Sequence, residues 1–232
     1  MTRLFQTAVI LVIASVGQLQ TASAKPPLGR VFDPEAQTRR ELGAERQAVL
    51  EVARSFKDGG GYIWEGGSGA PRAIEFGGET IVKQQEKGTY CSGFTFSVAM
   101  RAAAERGLLE GKSVEAVRRF QKEWYGVPKE AQEKQCAVAV ERLGIGRHVR
   151  KLEDARPGDF VQIWRTNKSG HSVVLVDWVR EGGQIVGIKY RSSQKSTDGI
   201  GDRVEYFADA QGREGKVDRA RTYVARLYEG QR

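Results

Sequence analysis

Apolar residues recur along the chain in two periods, and the change of period divides it. From Glu35 onward, Leu42, Val49, Ala53 and Phe56 are spaced by seven, four and three, which places them on one face of a helix. Asp58-Gly59-Gly60-Gly61 ends that helix. Residues 59–79 hold eight glycines around Tyr62, Ile63 and Trp64, a loop with a short extended piece. The next helix runs from Ser92 to Arg106, with Phe96, Met100 and Ala103 facing one way and Gly107 as its stop. Ser113 caps another, which carries Val114, Val117, Phe120 and Trp124. A further helix is expected from about Lys129 to Leu143, closed by Gly144.

Beyond that point the period becomes two. Arg156-Pro157-Gly158-Asp159 reads as a turn and Phe160–Trp164 as a strand. Ser172–Val179 and Ile185–Arg191 read as a hairpin about Gly182-Gly183, and Val204–Phe207 and Thr222–Leu227 add two strands. Helices first and strands later is the α+β order: N-terminal helices packed on an antiparallel sheet of about five strands, in a single domain over residues 35–232. The chain shows no internal repeat.

The first residues change the picture. Arg3 is the only charge before the apolar run Leu4–Ala14, and Ala22-Ser23-Ala24 offers the small residues that signal peptidase accepts. Residues 1–24 read as a signal peptide and 25–34, with three prolines, as a linker. The chain is then expected in the periplasm or secreted, touching a membrane only through an uncleaved signal. Its formal charge is +8, with Lys and Arg interleaved among Asp and Glu rather than gathered in a block. That fits a solvated surface, suits acidic cell-wall polymers, and gives no sign of nucleic-acid binding. A monomer is expected.

The candidate chemistry lies in Gly88-Thr89-Tyr90-Cys91-Ser92-Gly93. Two cysteines in an exported chain are a natural disulfide pair, Cys91–Cys136, which would make a non-catalytic wall-binding module. The surroundings of Cys91 point elsewhere. It falls at the first turn of a helix, where free backbone N–H groups favour a negative charge, and Ser92 and Gly93 leave room for a substrate. Cys136, in Gln135-Cys136-Ala137-Val138-Ala139-Val140, suits a buried inert thiol.

A thiolate nucleophile needs a base, and there are two histidines. His148 stands between Arg147 and Arg150 and reads as surface. His171 opens the most apolar strand. If the hairpin turn centres between Gly182 and Gly183, His171 faces Gln194, whose amide oxygen could orient the imidazole. A register slip of two residues would put Ser192 there instead. Asp177 is excluded because it lies six residues along the same strand, roughly 20 Å away at about 3.3 Å per residue. Two histidines and two cysteines form no spaced ligand set, so neither metal nor cofactor is expected.

Taken in order, Tyr62-Ile63-Trp64 with Gly66-Gly67, then Cys91-Ser92-Gly93, Pro157-Gly158-Asp159 and Gly170-His171-Ser172-Val173 resemble the NlpC-type cysteine peptidases of bacterial cell walls, a branch of the papain-like superfamily. The CHAP amidases share this layout. The resemblance covers about residues 45–195. Tyr90 stands where that family usually has aspartate, and the intervals from Tyr62 to Cys91 and from His171 to Gln194 are long. The resemblance implies a papain-like fold and a thiol hydrolase acting on an amide bond of peptidoglycan stem peptides, as endopeptidase or amidase. Cys91 would be nucleophile, His171 base and Gln194 its orienting partner. Tyr62, Tyr90 and Ser92 would line the oxyanion and substrate side, with Tyr62 as second oxyanion donor beside the Cys91 amide.

Overall fold

The computed structural model describes residues 49–230. The expected signal peptide and linker, and the expected opening of the first helix with Leu42, lie outside the described residues. Helix α1 is seen over residues 49–54. It is followed by β1 (Gly59–Gly60), β2 (Ile74–Phe76), β3 (Glu79–Val82), α2 (Cys91–Glu105), α3 (Val114–Trp124) and α4 (Cys136–Leu143). Then come β4 (Gly146–Val149), β5 (Phe160–Arg165), β6 (Gly170–Glu181), β7 (Gln184–Gln194), β8 (Gly199–Tyr206) and β9 (Val217–Leu227).

The described part is thus a mixed α/β structure with a seven-stranded antiparallel sheet in the order β1-β8-β7-β6-β5-β9-β4, and a separate β2–β3 pair. The sheet is larger than the five strands the periodicity predicts. The two extra strands are edges: β1 is two glycines, and β4 is Gly146-Arg147-His148-Val149, whose polar centre gives no apolar alternation. Helix α4 is shorter than expected. Residues 128–135 form successive turns, and Gln135 takes φ 35° and ψ −104°, which no helix can contain, so the helix starts only at Cys136.

The helix signals act as the residues suggest. Ser113 Oγ accepts from Ala116 N at the start of α3. Gly144 takes the left-handed conformation, φ 71°, that closes α4. Past α2, the amides of Gly107 and Leu108 bond Ala104 O and Ala103 O.

Both faces of the sheet are covered. On one, Phe160, Val174 and Ala225 pack with Phe94, Phe96, Val117, Phe120 and Trp124 of the helices. Trp124 meets Phe160 at 5.0 Å and Phe96 at 6.1 Å between ring centres, and full burial of each such side chain stabilises by about 1.5–3 kcal/mol. On the other face Val161, Ile163, Val173, Leu175, Ile188 and Tyr190 form a second apolar cluster with Trp178 and Phe207. Buried Arg191 ties α1 to the sheet, donating to Ala53 O, Phe56 O and the carboxylates of Asp58 and Asp202.

The β6–β7 hairpin sets the register of the site. Its turn pairs Glu181 with Gln184, as the glycine pair predicts. Val176 on β6 and Val186 on β7 are each an extra residue in the ladder. The two bulges cancel, so that Val174 faces Arg191 in the register an unbroken hairpin would have.

Candidate functional site

Helix α2 delivers Cys91 as its first residue. Tyr90 before it is extended and supplies no side-chain cap. The helix start is pinned from inside: Thr95 Oγ1 donates to Cys91 O at 2.9 Å and accepts from Trp124 Nε1 at 3.1 Å. It is pinned from outside as well. Gly93 lies against the Gly-rich loop, where an added Cβ would stand 2.1 Å from Gly69 C, so only glycine fits. The amides of Cys91 and Ser92 donate to no protein acceptor among the described residues. They are the free first-turn donors of the helix, set beside the sulfur.

The sheet delivers the imidazole. His171 is the second residue of β6 and Gln194 the last of β7. His171 Nε2 lies 3.3 Å from Gln194 Oε1, the pairing that the hairpin arithmetic predicts. Ser192, the alternative, donates to Ser172 O instead. The His171 ring also stands edge-on to Tyr190, 5.5 Å between centres. With Nε2 turned to Gln194, Nδ1 is the ring nitrogen left free, and the imidazole acts on the Cys91 sulfur strongly enough to lower its pKa. Cys91, His171 and Gln194 are all buried, at 5%, 6% and 5% exposure.

Burial acts to raise the Cys91 pKa. The charge and hydrogen bond of His171, with smaller help from the Ser172 amide and the Ser92 hydroxyl, outweigh it and bring the thiol down to about 7. Cys136 is the opposite: burial pushes it up to about 12. Both thiols are free, so the disulfide alternative has no bridge here.

The other anticipated residues fall differently. Tyr62 bridges to Thr89, two residues before Cys91. Burial and the Cys91 charge both raise its pKa, which leaves a protonated phenol in the field of the sulfur. Ser92 Oγ lies 3.9 Å from Cys91 Sγ. Tyr90 is reassigned: its hydroxyl donates to Gly67 O at 3.0 Å and its ring packs on Trp64 and Tyr125. With the hydroxyl so engaged, it braces the loop rather than offering a donor to a substrate. His148 is half-buried rather than a surface residue, and burial lowers its pKa.

Several members of the site were not apparent in the sequence. Thr89 Oγ1 and Ser193 Oγ lie 2.7 Å apart and join the segment before Cys91 to β7. Gln85 fastens the glycine loop, donating to Ile63 O and Lys87 O and accepting from Gly69 N. Thr197 contacts Gln194. The polar run Ser192-Ser193-Gln194-Lys195-Ser196-Thr197 after an apolar strand was the one available signal. Among the described residues no group of His, Cys, Asp and Glu side chains is placed to hold a metal ion.

Comparison with known proteins gives no match to a family model, to a curated protein or to a solved structure.

Proposed function

We propose that the chain is an exported thiol hydrolase with a papain-like arrangement, cleaving an amide bond in peptidoglycan stem peptides. The observation that carries this reading is the Cys91–His171–Gln194 relay: a thiol brought down to about 7 by an imidazole whose far nitrogen is 3.3 Å from an amide oxygen. The ordered resemblance to NlpC-type peptidases, the export signal expected at the N-terminus and the +8 formal charge favour a wall substrate.

The Cys91 thiolate attacks the scissile carbonyl carbon. A C–S bond forms and the carbonyl electron pair moves to oxygen, where the Cys91 and Ser92 amides and the Tyr62 hydroxyl can stabilise it. His171 gives its Nδ1 proton to the leaving nitrogen as the C–N bond breaks, which leaves a thioester. Water then attacks the thioester while His171 takes its proton. The C–S bond breaks, and acid product and thiolate are released. Gln194 accepts from Nε2–H throughout and holds the ring in plane.

The test is digestion of peptidoglycan by the purified chain, followed by fragment release. Cys91→Ala is expected to release nothing and Cys136→Ala to match the unaltered chain. Equal release from all three would contradict the reading.

A further inference from the structure

Gln194 can orient His171 only if its amide oxygen, and not its NH2, faces the ring. The two ends of a glutamine amide have nearly the same shape, so hydrogen bonds alone decide which way it lies. Those bonds come from the turn after β7. The 3-10 turn Lys195–Thr197 brings Thr197 Oγ1 within 2.6 Å of Gln194 Nε2 and 2.6 Å of Gly199 O. A backbone carbonyl can only accept, so the Thr197 hydroxyl donates to Gly199 O and its lone pair receives a Gln194 N–H. The second N–H of Gln194 points at Gly201 O, 3.3 Å away. Both amide hydrogens are thereby engaged. Rotating the amide by half a turn would set its oxygen against two acceptors and its NH2 against His171 Nε2.

The turn that presents Thr197 is itself locked. Asp198 and Gly199 take φ 46° and 113°, and a Cβ on Gly199 would stand 2.2 Å from Gly59 O of the neighbouring strand. The hydroxyl is therefore delivered by a fixed turn.

We propose that Thr197 is a positioning residue for the proposed hydrolase: it holds the Gln194 amide so that His171 keeps its Nε2 proton and leaves Nδ1 to exchange with the Cys91 thiol. This rests on the hydrolase reading for its purpose, yet the tautomer can be read without any turnover. Thr197→Val keeps the side-chain shape and removes the hydroxyl; Thr197→Ser keeps the hydroxyl.

The experiment follows the pH dependence of Cys91 alkylation by iodoacetamide in the full chain, beside kcat and KM on a peptidoglycan fragment. Thr197→Val is expected to raise the alkylation inflection by about one pH unit, since an amide NH2 facing Nε2 disfavours the imidazolium that stabilises the thiolate. It should lower kcat about tenfold at unchanged KM, a loss on the scale of impaired acid–base work. Thr197→Ser should restore both. In a Gln194→Glu chain the two carboxylate oxygens are equivalent, so adding Thr197→Val should not move the inflection further. A Thr197→Val profile superposed on the unaltered one, or an equal shift in the Gln194→Glu chain, overturns the proposal. Should Thr197→Val not fold, nitrogen NMR of Cys91→Ala decides: neutral His171 must carry its proton on Nε2, and a proton on Nδ1 overturns the proposal. Absent turnover with the expected inflections would sink the hydrolase reading and leave the Thr197 assignment standing.

Discussion

Cys91 and Cys136 are a matched pair. Each is the first residue of a helix, each is buried, and each is a free thiol. Yet one is brought down to about 7 and the other is pushed up to about 12. The helix N-terminus is common to both, so it does not make the difference. Cys136 even has help from three backbone amides, its own and those of Ala137 and Gln162, and burial still wins. What Cys91 has and Cys136 lacks is an imidazole. A buried thiol becomes a nucleophile when a specific charge partner overcomes desolvation, and peptide dipoles alone do not suffice.

Substitutions at three residues break or sharpen that contrast. The largest effect belongs to Cys91→Ser, which leaves the geometry and removes the thiolate; peptidoglycan turnover should fall by at least about 10³-fold, against little change for Cys136→Ser. Next comes His171→Ala, which removes the imidazole and makes Cys91 resemble Cys136. Its alkylation inflection should climb from about 7 to above the ordinary thiol value of about 8.5, because burial is then opposed only by the smaller pull of the Ser172 amide and the Ser92 hydroxyl, and turnover should fall by roughly 10²–10⁴-fold.

The smallest effect is Cys136→Ala, expected to cost about 1–2 kcal/mol in urea unfolding at pH 7 with turnover intact. The sign of its pH dependence follows from linkage. The folded pKa of Cys136 is raised, so its contribution is full below the unfolded value of about 8.5 and is lost as pH rises toward about 12. The gap between the unaltered and Cys136→Ala chains should therefore narrow between pH 7 and pH 10. The Cys91 contribution runs the other way, full above about 8.5 and lost as pH falls through about 7.

Much of the site was legible in the residues because it is built from local rules. The glycine pair Gly182-Gly183 sets the hairpin centre, and from there His171 and Gln194 can be matched by position. That this works depends on the bulges at Val176 and Val186 offsetting one another, which no residue pattern announces. The helix caps at Ser113, Gly107 and Gly144 are likewise local. What was hidden is long-range or dictated by backbone strain. The edge strands β1 and β4 exist because β8 and β9 offer them partners, and Gly59-Gly60 has no strand propensity of its own. The late start of α4 comes from the positive φ of Gln135, a residue that could well sit in a helix. Tyr90 looked like a substrate contact because it adjoins Cys91, but its ring packs edge-on against Trp64 and Tyr125 beside the glycine loop.

The central claim is that the two buried thiols differ because one has an imidazole partner. The most direct measurement is the rate of iodoacetamide alkylation of each cysteine in the native chain from pH 5 to pH 10, resolved by mass spectrometry. The expected result is a Cys91 rate that rises through an inflection near pH 7 while Cys136 stays unreacted. Identical profiles for the two, or a Cys91 inflection at or above the free-thiol value of about 8.5, would contradict it.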